Sequence, residues 1–105
     1  SDAAEMVRFM KATLHWPQPI YIRLGKGGDE VVSREENGFA IGKTISMLDT
    51  KGEKNLSVLI VSTGVMTQRC IKVAKALSEL SINVTHLHCH TVKPLDVESI
   101  LHHSR

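Results

Sequence analysis

The chain has 105 residues, which is enough for one domain, or for one domain with part of another. Apolar residues make up 42% of the chain and aromatic residues only 4%, so any core must be mostly aliphatic. The net charge of +2, with acids and bases mixed, excludes the electrostatic footprint of a nucleic-acid-binding protein, and no apolar run approaches the roughly 18 residues of a membrane span.

The first segment has the pattern of a helix that ends before two prolines. Asp2 and Glu5 are spaced as a capping box, in which a side chain accepts an orphan amide hydrogen at the helix start. Pro17 and Pro19 exclude further helix. An apolar stripe at helical spacing predicts the packing face of this helix, formed by Ala3, Met6, Val7, Met10 and Leu14.

The next two segments predict a strand and a linker. Ile20–Leu24 is a short run of β-branched and aromatic residues, which is typical of a strand. Gly25, Gly27 and Gly28, followed by charged residues up to Asn37, are typical of a linker. Because a lone strand before a linker has no sheet of its own, we expect it to belong to a larger unit.

The following segments predict a βαβ unit. Phe39–Leu48 has the composition of a strand or hairpin arm, and residues 49–55 that of a polar turn. Leu56–Ser62 is nearly all aliphatic, as in a strand buried on both faces, and Thr63–Gly64 predicts a tight turn. Ile82–Val92 predicts the next strand, so the order strand, helix, strand indicates a right-handed crossover and a parallel pair. The helix between them has a predicted inner face of Met66, Cys70, Val73, Ala74, Leu77 and Leu80.

The run HTVKPLD, from His90 to Asp96, predicts where this strand ends and the last helix begins. Pro94 has no amide hydrogen and stops strand pairing. The Asp96 side chain is an N-cap for a helix over Val97–His103.

Histidine and cysteine residues on these elements raise the question of a metal site. His86, His88 and His90 alternate, so on a strand they project from one face. Alternate strand positions lie roughly 6–7 Å apart, which strains a single tetrahedral zinc site. We therefore interpret them as ordinary surface or interface histidines. Cys70 and Cys89 are predicted to be reduced and packed in the core, because no neighbouring group activates either thiol.

Several of these segments together resemble the transketolase superfamily of thiamine diphosphate enzymes. The resemblance rests on Ser1–Glu5, Pro19–Leu24, Val58–Gly64 and Thr91–Asp96. Their order is similar to that found where the pyrimidine-binding domain of these enzymes joins the C-terminal domain. The resemblance therefore implies an α/β fold with a βαβ-containing, mostly parallel sheet of the transketolase C-terminal type, preceded by a helix–strand remnant of the preceding domain.

The resemblance also implies a domain division and a function. Residues 1–24 correspond to the end of the pyrimidine-binding domain, 25–37 to a linker, and 38–105 to a partial C-terminal domain. The whole enzyme is expected to transfer a two-carbon ketol unit between sugar phosphates, as a cytoplasmic homodimer that does not bind nucleic acid or membranes. Arg23 matches the family arginine that binds the substrate phosphate, a role suited to a planar guanidinium. The alternative for Arg23 is an exposed arginine paired with a neighbouring domain.

The residues that handle the cofactor in this family have no counterpart in the chain. The Gly-Asp-Gly segment and the later asparagine, which hold the cofactor's diphosphate through a metal, are missing. The glutamate that activates the cofactor is also missing, and Glu5 lies on a different helix. Thiamine diphosphate and magnesium are therefore expected to bind the remainder of the enzyme, in the same chain or in a separate subunit. This segment, with no catalytic, cofactor-binding or metal-binding residue assigned, is not expected to be active alone.

Three alternatives to the transketolase interpretation stay open at the level of sequence. The chain is a non-catalytic α/β interaction module, part of a 2-oxo acid dehydrogenase beta subunit, or part of a deoxyxylulose-phosphate synthase.

Overall fold

The computed structural model describes residues 1–50, 52 and 56–105. Within these ranges a helix and a single 3₁₀ turn precede the sheet, and two further helices follow in alternation with strands. In chain order the elements are α1 (Ala3–Thr13), the 3₁₀ turn (Glu35–Asn37), β1 (Ile45–Asp49), β2 (Ser57–Ser62), α2 (Met66–Glu79), β3 (Asn83–His88) and α3 (Val97–His103).

The predicted βαβ unit is present in β2, α2 and β3. The two strands pair in parallel, from Ser57 opposite Asn83 to Ser62 opposite His88, and α2 packs on both of them. Gly64 has a φ of +57°, a conformation that glycine adopts without steric cost and that turns the chain from β2 into α2. The predicted strand, tight turn and helix in this region are therefore present. The prediction that β2 is buried on both faces is wrong, because Leu56 and Val61 are exposed. β3 also ends at His88 rather than at the predicted Val92.

The sheet differs from the prediction in the direction and start of β1. β1 pairs antiparallel with β3, so the described strands follow the order β1-β3-β2 with one antiparallel and one parallel neighbour. The expectation of a mostly parallel sheet is thus only partly matched. β1 begins at Ile45 rather than near Phe39, because residue type alone fixes neither the start of a strand nor its direction. Most of the predicted polar turn over 49–55 lies outside the described residues.

The prediction of a strand over Ile20–Leu24 is wrong. In the described part of the chain this segment pairs with no strand, and Tyr21 is 90% exposed. Strand propensity expresses how well a side chain fits a half-buried pleated surface, and here no such surface lies beside the segment.

The first helix begins as predicted but turns a different face inward. The Glu5 amide donates to Asp2 Oδ1 at 2.9 Å, which confirms the N-cap. Val7, Met10 and Leu14 of the predicted apolar stripe are exposed, whereas Asp2 and Glu5 are buried. The helix thus packs on the rest of the chain through polar side chains, and the prediction of its packing face is wrong.

A similar rotation applies to α2. Ala74 is buried as predicted, and Cys70 is half-buried. Met66, Val73 and Leu80 are exposed, and the buried position at the start of the helix is Thr67. The apolar periodicity identified the helix correctly. The face that contacts the sheet overlaps the predicted apolar face only in part, because it includes Ala74 and Thr67 but not Met66, Val73 or Leu80.

The core combines a small aliphatic cluster with an unusual share of polar groups. Its apolar members are Ile45, Ala74, Val84, Leu87 and Cys89, which agrees with the expected scarcity of aromatic residues. Its polar members are Asp2, Glu5, Ser33, Ser62, Thr67, His86, His88 and Asp96. Buried polar groups are costly unless hydrogen-bonded, so their partners decide how this fold holds together. No described helix is long and apolar enough to cross a bilayer.

The predicted joint between β3 and α3 is confirmed at Asp96. Its Oδ1 accepts from the Ser99 amide at 3.3 Å, which caps α3. Its Oδ2 accepts from the Thr44 amide at 2.8 Å, so the same carboxylate ties α3 to the segment before β1. These hydrogen bonds outweigh the desolvation that burial imposes and hold the pKa of Asp96 below its usual value.

Candidate functional site

Arg23, the residue predicted to bind a substrate phosphate, lies on the extended segment after α1. Its side chain is exposed and makes no hydrogen bond or ion pair with the described residues. An arginine in this state has all five of its N–H donors available to an anion. The structure therefore leaves Arg23 accessible and assigns it no structural partner in the described chain.

The segment that follows Arg23 lies against the start of α2. The Gln68 side chain donates to the carbonyl of Glu30 at 3.2 Å and fixes this approach. An open cavity of about 520 Å³ lies between the two parts, lined by Gly25, Lys26, Gly27, Asp29, Val65, Met66, Gln68 and Arg69. Lys26 and Arg69 make its surroundings cationic, with Asp29 as the opposing charge.

A buried pair of Glu5 and His88 joins α1 to the sheet. Oε2 of Glu5 lies 2.7 Å from Nε2 of His88, and neither side chain is more than 5% exposed. Oε1 of Glu5 also accepts from the N-terminal ammonium of Ser1. Burial raises the pKa of Glu5, but the hydrogen bonds from His88 and Ser1 outweigh it and lower the pKa to about 2. Glu5 is therefore a carboxylate, and His88 Nε2 carries a proton toward it.

A chain of hydrogen bonds continues from His88 into the sheet. Nδ1 of His88 lies 2.8 Å from Oγ1 of Thr67, which lies 3.0 Å from Oγ of Ser62. Oγ of Ser62 lies 2.7 Å from Nε2 of His86. His86, His88 and Thr67 are fully buried and Ser62 nearly so, and Nδ1 of His86 has no partner among the described residues. Burial, together with the nearby His88, lowers the pKa of His86 and so favours its neutral form.

The histidines were predicted to be ordinary surface or interface residues, and the structure excludes the surface position for His86 and His88. Both project from one face of β3, as their alternation predicted, but they are buried there, with α2 packed on β3 and Glu5 of α1 bonded to His88. Sequence alternation gives the shared face and cannot tell whether another element lies on it. His90 follows the end of β3 and stacks on Phe39 with a ring-centroid distance of 4.1 Å. Burial lowers the pKa of His90 to about 4.

The linker segment is attached to the polar face of α1 as well. The Val32 amide donates to Asp2 Oδ2 at 3.2 Å. Nη2 of Arg8 donates to Oγ of Ser33 at 2.6 Å and to its carbonyl at 3.2 Å. The side chains at positions 2, 5 and 8 therefore form a polar stripe on α1 that binds both the linker and β3. Their helical spacing was visible in the sequence, and it is the signal that could have identified this packing face.

Two chemical roles were considered for the buried side chains around His88: activation of a nucleophile and binding of a metal ion. Thr67, His88 and Glu5 match a hydroxyl–imidazole–carboxylate arrangement of the kind that activates a nucleophile. However, Thr67 is fully buried, so a substrate could not reach its hydroxyl. In the described ranges, no group of three or more His, Cys, Asp or Glu side chains has an arrangement that could hold a metal ion.

Comparison with known proteins agrees with the fold and extends it. Residues 49–105 match the family model of the transketolase C-terminal domain. A transketolase family protein, y4mN, of Sinorhizobium fredii is 35% identical over 102 residues, which cover 95% of this chain and 28% of that protein. The 6-deoxy-6-sulfo-D-fructose transketolase subunit SqwH of a Clostridium species is 32% identical over 100 residues, covering 95% of this chain and 30% of that subunit.

A third relative is also similar over nearly the whole of this chain. It is an apulose-4-phosphate transketolase subunit of Phocaeicola vulgatus, 26% identical over 100 residues, which cover 94% of this chain and 30% of the relative. The chain therefore spans less than a third of the length of these curated relatives. No solved structure matches it significantly. With the βαβ unit and the Asp96 joint, the match over residues 49–105 shows that this chain belongs to the transketolase C-terminal domain family.

Proposed function

We propose that this chain is the joint between the pyrimidine-binding and C-terminal domains of a transketolase-like enzyme. Residues 1–24 end the first domain, 25–37 form the linker, and 38–105 begin the second. The observation that carries the proposal is the family match over residues 49–105, with relatives named as transketolase subunits. The polar packing of α1, whose apolar stripe stays exposed, supports a helix that has a second neighbour.

The reaction proposed for the whole enzyme is the transfer of a two-carbon ketol unit between sugar phosphates. Thiamine diphosphate and magnesium are assigned to the remainder of the enzyme. This assignment is supported by the sequence, in which the family's Gly-Asp-Gly segment and later asparagine have no counterpart. This segment supports the assembly, and we further propose that the complete enzyme is a cytoplasmic homodimer.

Arg23 is the residue of this chain that we assign to the substrate. Its side chain is exposed and unpaired in the described chain, and the segment after it borders a cavity with Lys26 and Arg69. A guanidinium binds the oxygens of a tetrahedral anion in pairs, and neighbouring cations strengthen that binding. The role proposed for Arg23 is to hold the anionic end of the sugar while the reacting end reaches the cofactor.

The names of the relatives suggest which anion this is. One relative is named for a sulfo-fructose and another for a phosphorylated apulose. Sulfonate and phosphate are both tetrahedral groups with several oxygens, so one arginine is suited to either. We propose that the substrate carries a terminal phosphate or sulfonate.

The test is the Arg23→Ala variant of the assembled enzyme. We expect the KM for a phosphorylated or sulfonated ketose to rise about tenfold or more, the loss typical of a charged hydrogen-bonded contact, with kcat less affected. The KM for an uncharged sugar analogue should stay the same. Arg105→Ala is the matched control, because it also removes an exposed arginine and should leave both constants unchanged.

Other outcomes would favour the remaining candidates. Unchanged Michaelis constants for Arg23→Ala would favour a purely structural segment. Turnover of pyruvate with an aldehyde phosphate would indicate a deoxyxylulose-phosphate synthase. Oxidative decarboxylation of a 2-oxo acid would indicate a dehydrogenase beta subunit.

A further inference from the structure

The buried hydrogen bonds between Glu5 and His86 form one continuous chain with a defined direction. Its members come from α1, β3, α2 and β2, so it crosses from the first helix to the interior of the βαβ unit. In order they are Glu5, His88, Thr67, Ser62 and His86. The contacts are 2.7 to 3.0 Å long, which is the range of good hydrogen bonds.

The carboxylate at one end decides where each proton lies. Glu5 is ionised and only accepts, so a neutral His88 must carry its proton on Nε2 and accept at Nδ1. Thr67 then donates to His88 Nδ1 and accepts from Ser62. Ser62 in turn accepts from Nε2 of His86, which leaves Nδ1 of His86 without a proton.

The opposite order of protons is disfavoured in neutral histidines. It would place a bare Nε2 of His88 against the carboxylate of Glu5, so that two acceptors would face each other at 2.7 Å. A partial reversal at Thr67 or Ser62 would leave two acceptors facing each other at one link, either Thr67 Oγ1 against His88 Nδ1 or Ser62 Oγ against Thr67 Oγ1. A buried acceptor left without a donor is costly, so one order of protons dominates.

We propose that Glu5 on α1 sets the tautomer of His86 in the sheet through this hydrogen-bond chain, so that the docking of α1 is transmitted to the interior of the βαβ unit. Displacement of α1 would remove the Glu5 carboxylate, which only accepts and so fixes the order of the protons. The two hydroxyls could then reverse without movement of any heavy atom in the sheet. The hydrogen-bond chain links residues 1–24 to residues 38–105. On the proposed function, which this step assumes, it therefore couples the two domains that meet at the joint.

The first test needs no variant. The tautomers are read from histidine ring ¹⁵N shifts of the labelled chain, at a pH above the titration of its histidines. We expect both His86 and His88 to carry the proton on Nε2. A His86 that carries it on Nδ1 would overturn the proposal.

The second test removes the middle member of the hydrogen-bond chain with Thr67→Val, which keeps the shape of the side chain but has no hydroxyl. His88 should keep its proton on Nε2, because Glu5 is still present. Ser62 loses its acceptor and can donate to His86, so the Nε2–H to Nδ1–H ratio of His86 should fall at least tenfold. Thr91→Val is the matched control, because it makes the same substitution at a hydroxyl that is hydrogen-bonded to His90 and lies outside the five linked side chains. An unchanged His86 ratio in folded Thr67→Val would contradict the proposal.

The third test substitutes Glu5, whose carboxylate sets the direction of the hydrogen-bond chain. The amide of Glu5→Gln can donate as well as accept, so both orders of protons become possible. Each histidine should then populate both tautomers, and the Nδ1–H fraction of His86 should equal that of His88, because the hydrogen-bond chain reverses as a unit. Tautomers of the two histidines that vary independently in this variant would refute the coupling.

Discussion

Oε2 of Glu5 lies 2.7 Å from Nε2 of His88, although the two residues are 83 positions apart in the sequence. The contact joins the first helix to the end of β3 and explains why α1 turns a polar face inward. Both groups are buried, so the ion pair or hydrogen bond between them is shielded from solvent. The contact therefore holds α1 against the sheet.

We expect Glu5→Ala to lower the free energy of unfolding by about 2–4 kcal/mol, because it leaves a buried imidazole N–H without its acceptor. Urea denaturation of the chain measures this loss. Val7→Ala lies on the exposed face of the same helix and should cost less than about 0.5 kcal/mol. Equal losses in the two variants would show that helix packing, rather than the pair, is responsible.

The same pair predicts how stability depends on pH. Folding lowers the pKa of Glu5 from 4.5 to about 2, so its carboxylate stabilises the folded state above pH 4.5. This contribution is lost as the pH falls from 4.5 toward 2. Glu5→Gln does not titrate, so the stability difference between wild type and Glu5→Gln should shrink over that interval. A difference that stays constant from pH 6 to pH 2 would argue against an ionised Glu5.

Asp96→Ala is expected to destabilise the chain by about 1–2 kcal/mol, because it removes the cap of α3 and an acceptor for Thr44. Asp96→Asn keeps an acceptor oxygen and should recover about half of the loss. Thermal unfolding monitored by circular dichroism compares the two. Similar melting temperatures for Asp96→Ala and wild type would contradict the importance of this joint.

Gly42→Ala tests the close approach between the segment before β1 and the run that leads into α3. Gly42 has a φ of +84°, and an added Cβ would lie 2.9 Å from Cγ of Pro94. Both features disfavour a side chain, so we expect a loss of at least about 1 kcal/mol. Gly28→Ala is the control: Gly28 has a similar positive φ, of +81°, but an added Cβ meets no atom within 4 Å. The larger loss should therefore occur at Gly42.

Calorimetric titration tests the assignment of the cofactor to the remainder of the enzyme. Thiamine diphosphate with magnesium should give no binding heat with this chain alone and should bind the assembled enzyme. Tight binding to the isolated chain would show that its residues hold the cofactor.

The features predicted from sequence are those with a local cause. The caps at Asp2 and Asp96, the aliphatic run of β2 and the turn at Gly64 each depend on residues within a few positions. Packing faces depend on partners far along the chain. The buried face of α1 follows from His88 and Ser33, which its apolar periodicity does not represent.

For the candidate site, too, the sequence predicted features with a local signal and missed those that depend on distant residues. Arg23 was identified through a family resemblance, and the structure leaves it exposed, but its role depends on a substrate and a neighbouring domain. The histidines of β3 were placed on one face by their spacing. Their burial depends on α1 and α2, so sequence alternation could not distinguish a surface row from an interior hydrogen-bond chain.

Isotope transfer between sugars is the sharpest test of the proposed ketol transfer by the complete enzyme. The assembled enzyme is given a ketose phosphate labelled with ¹³C at C1 and C2, together with an unlabelled aldose phosphate. We expect both labelled carbons to appear together in the new ketose phosphate. A labelled pair that stays in the original ketose phosphate, with none in the new ketose phosphate, would contradict the proposed reaction.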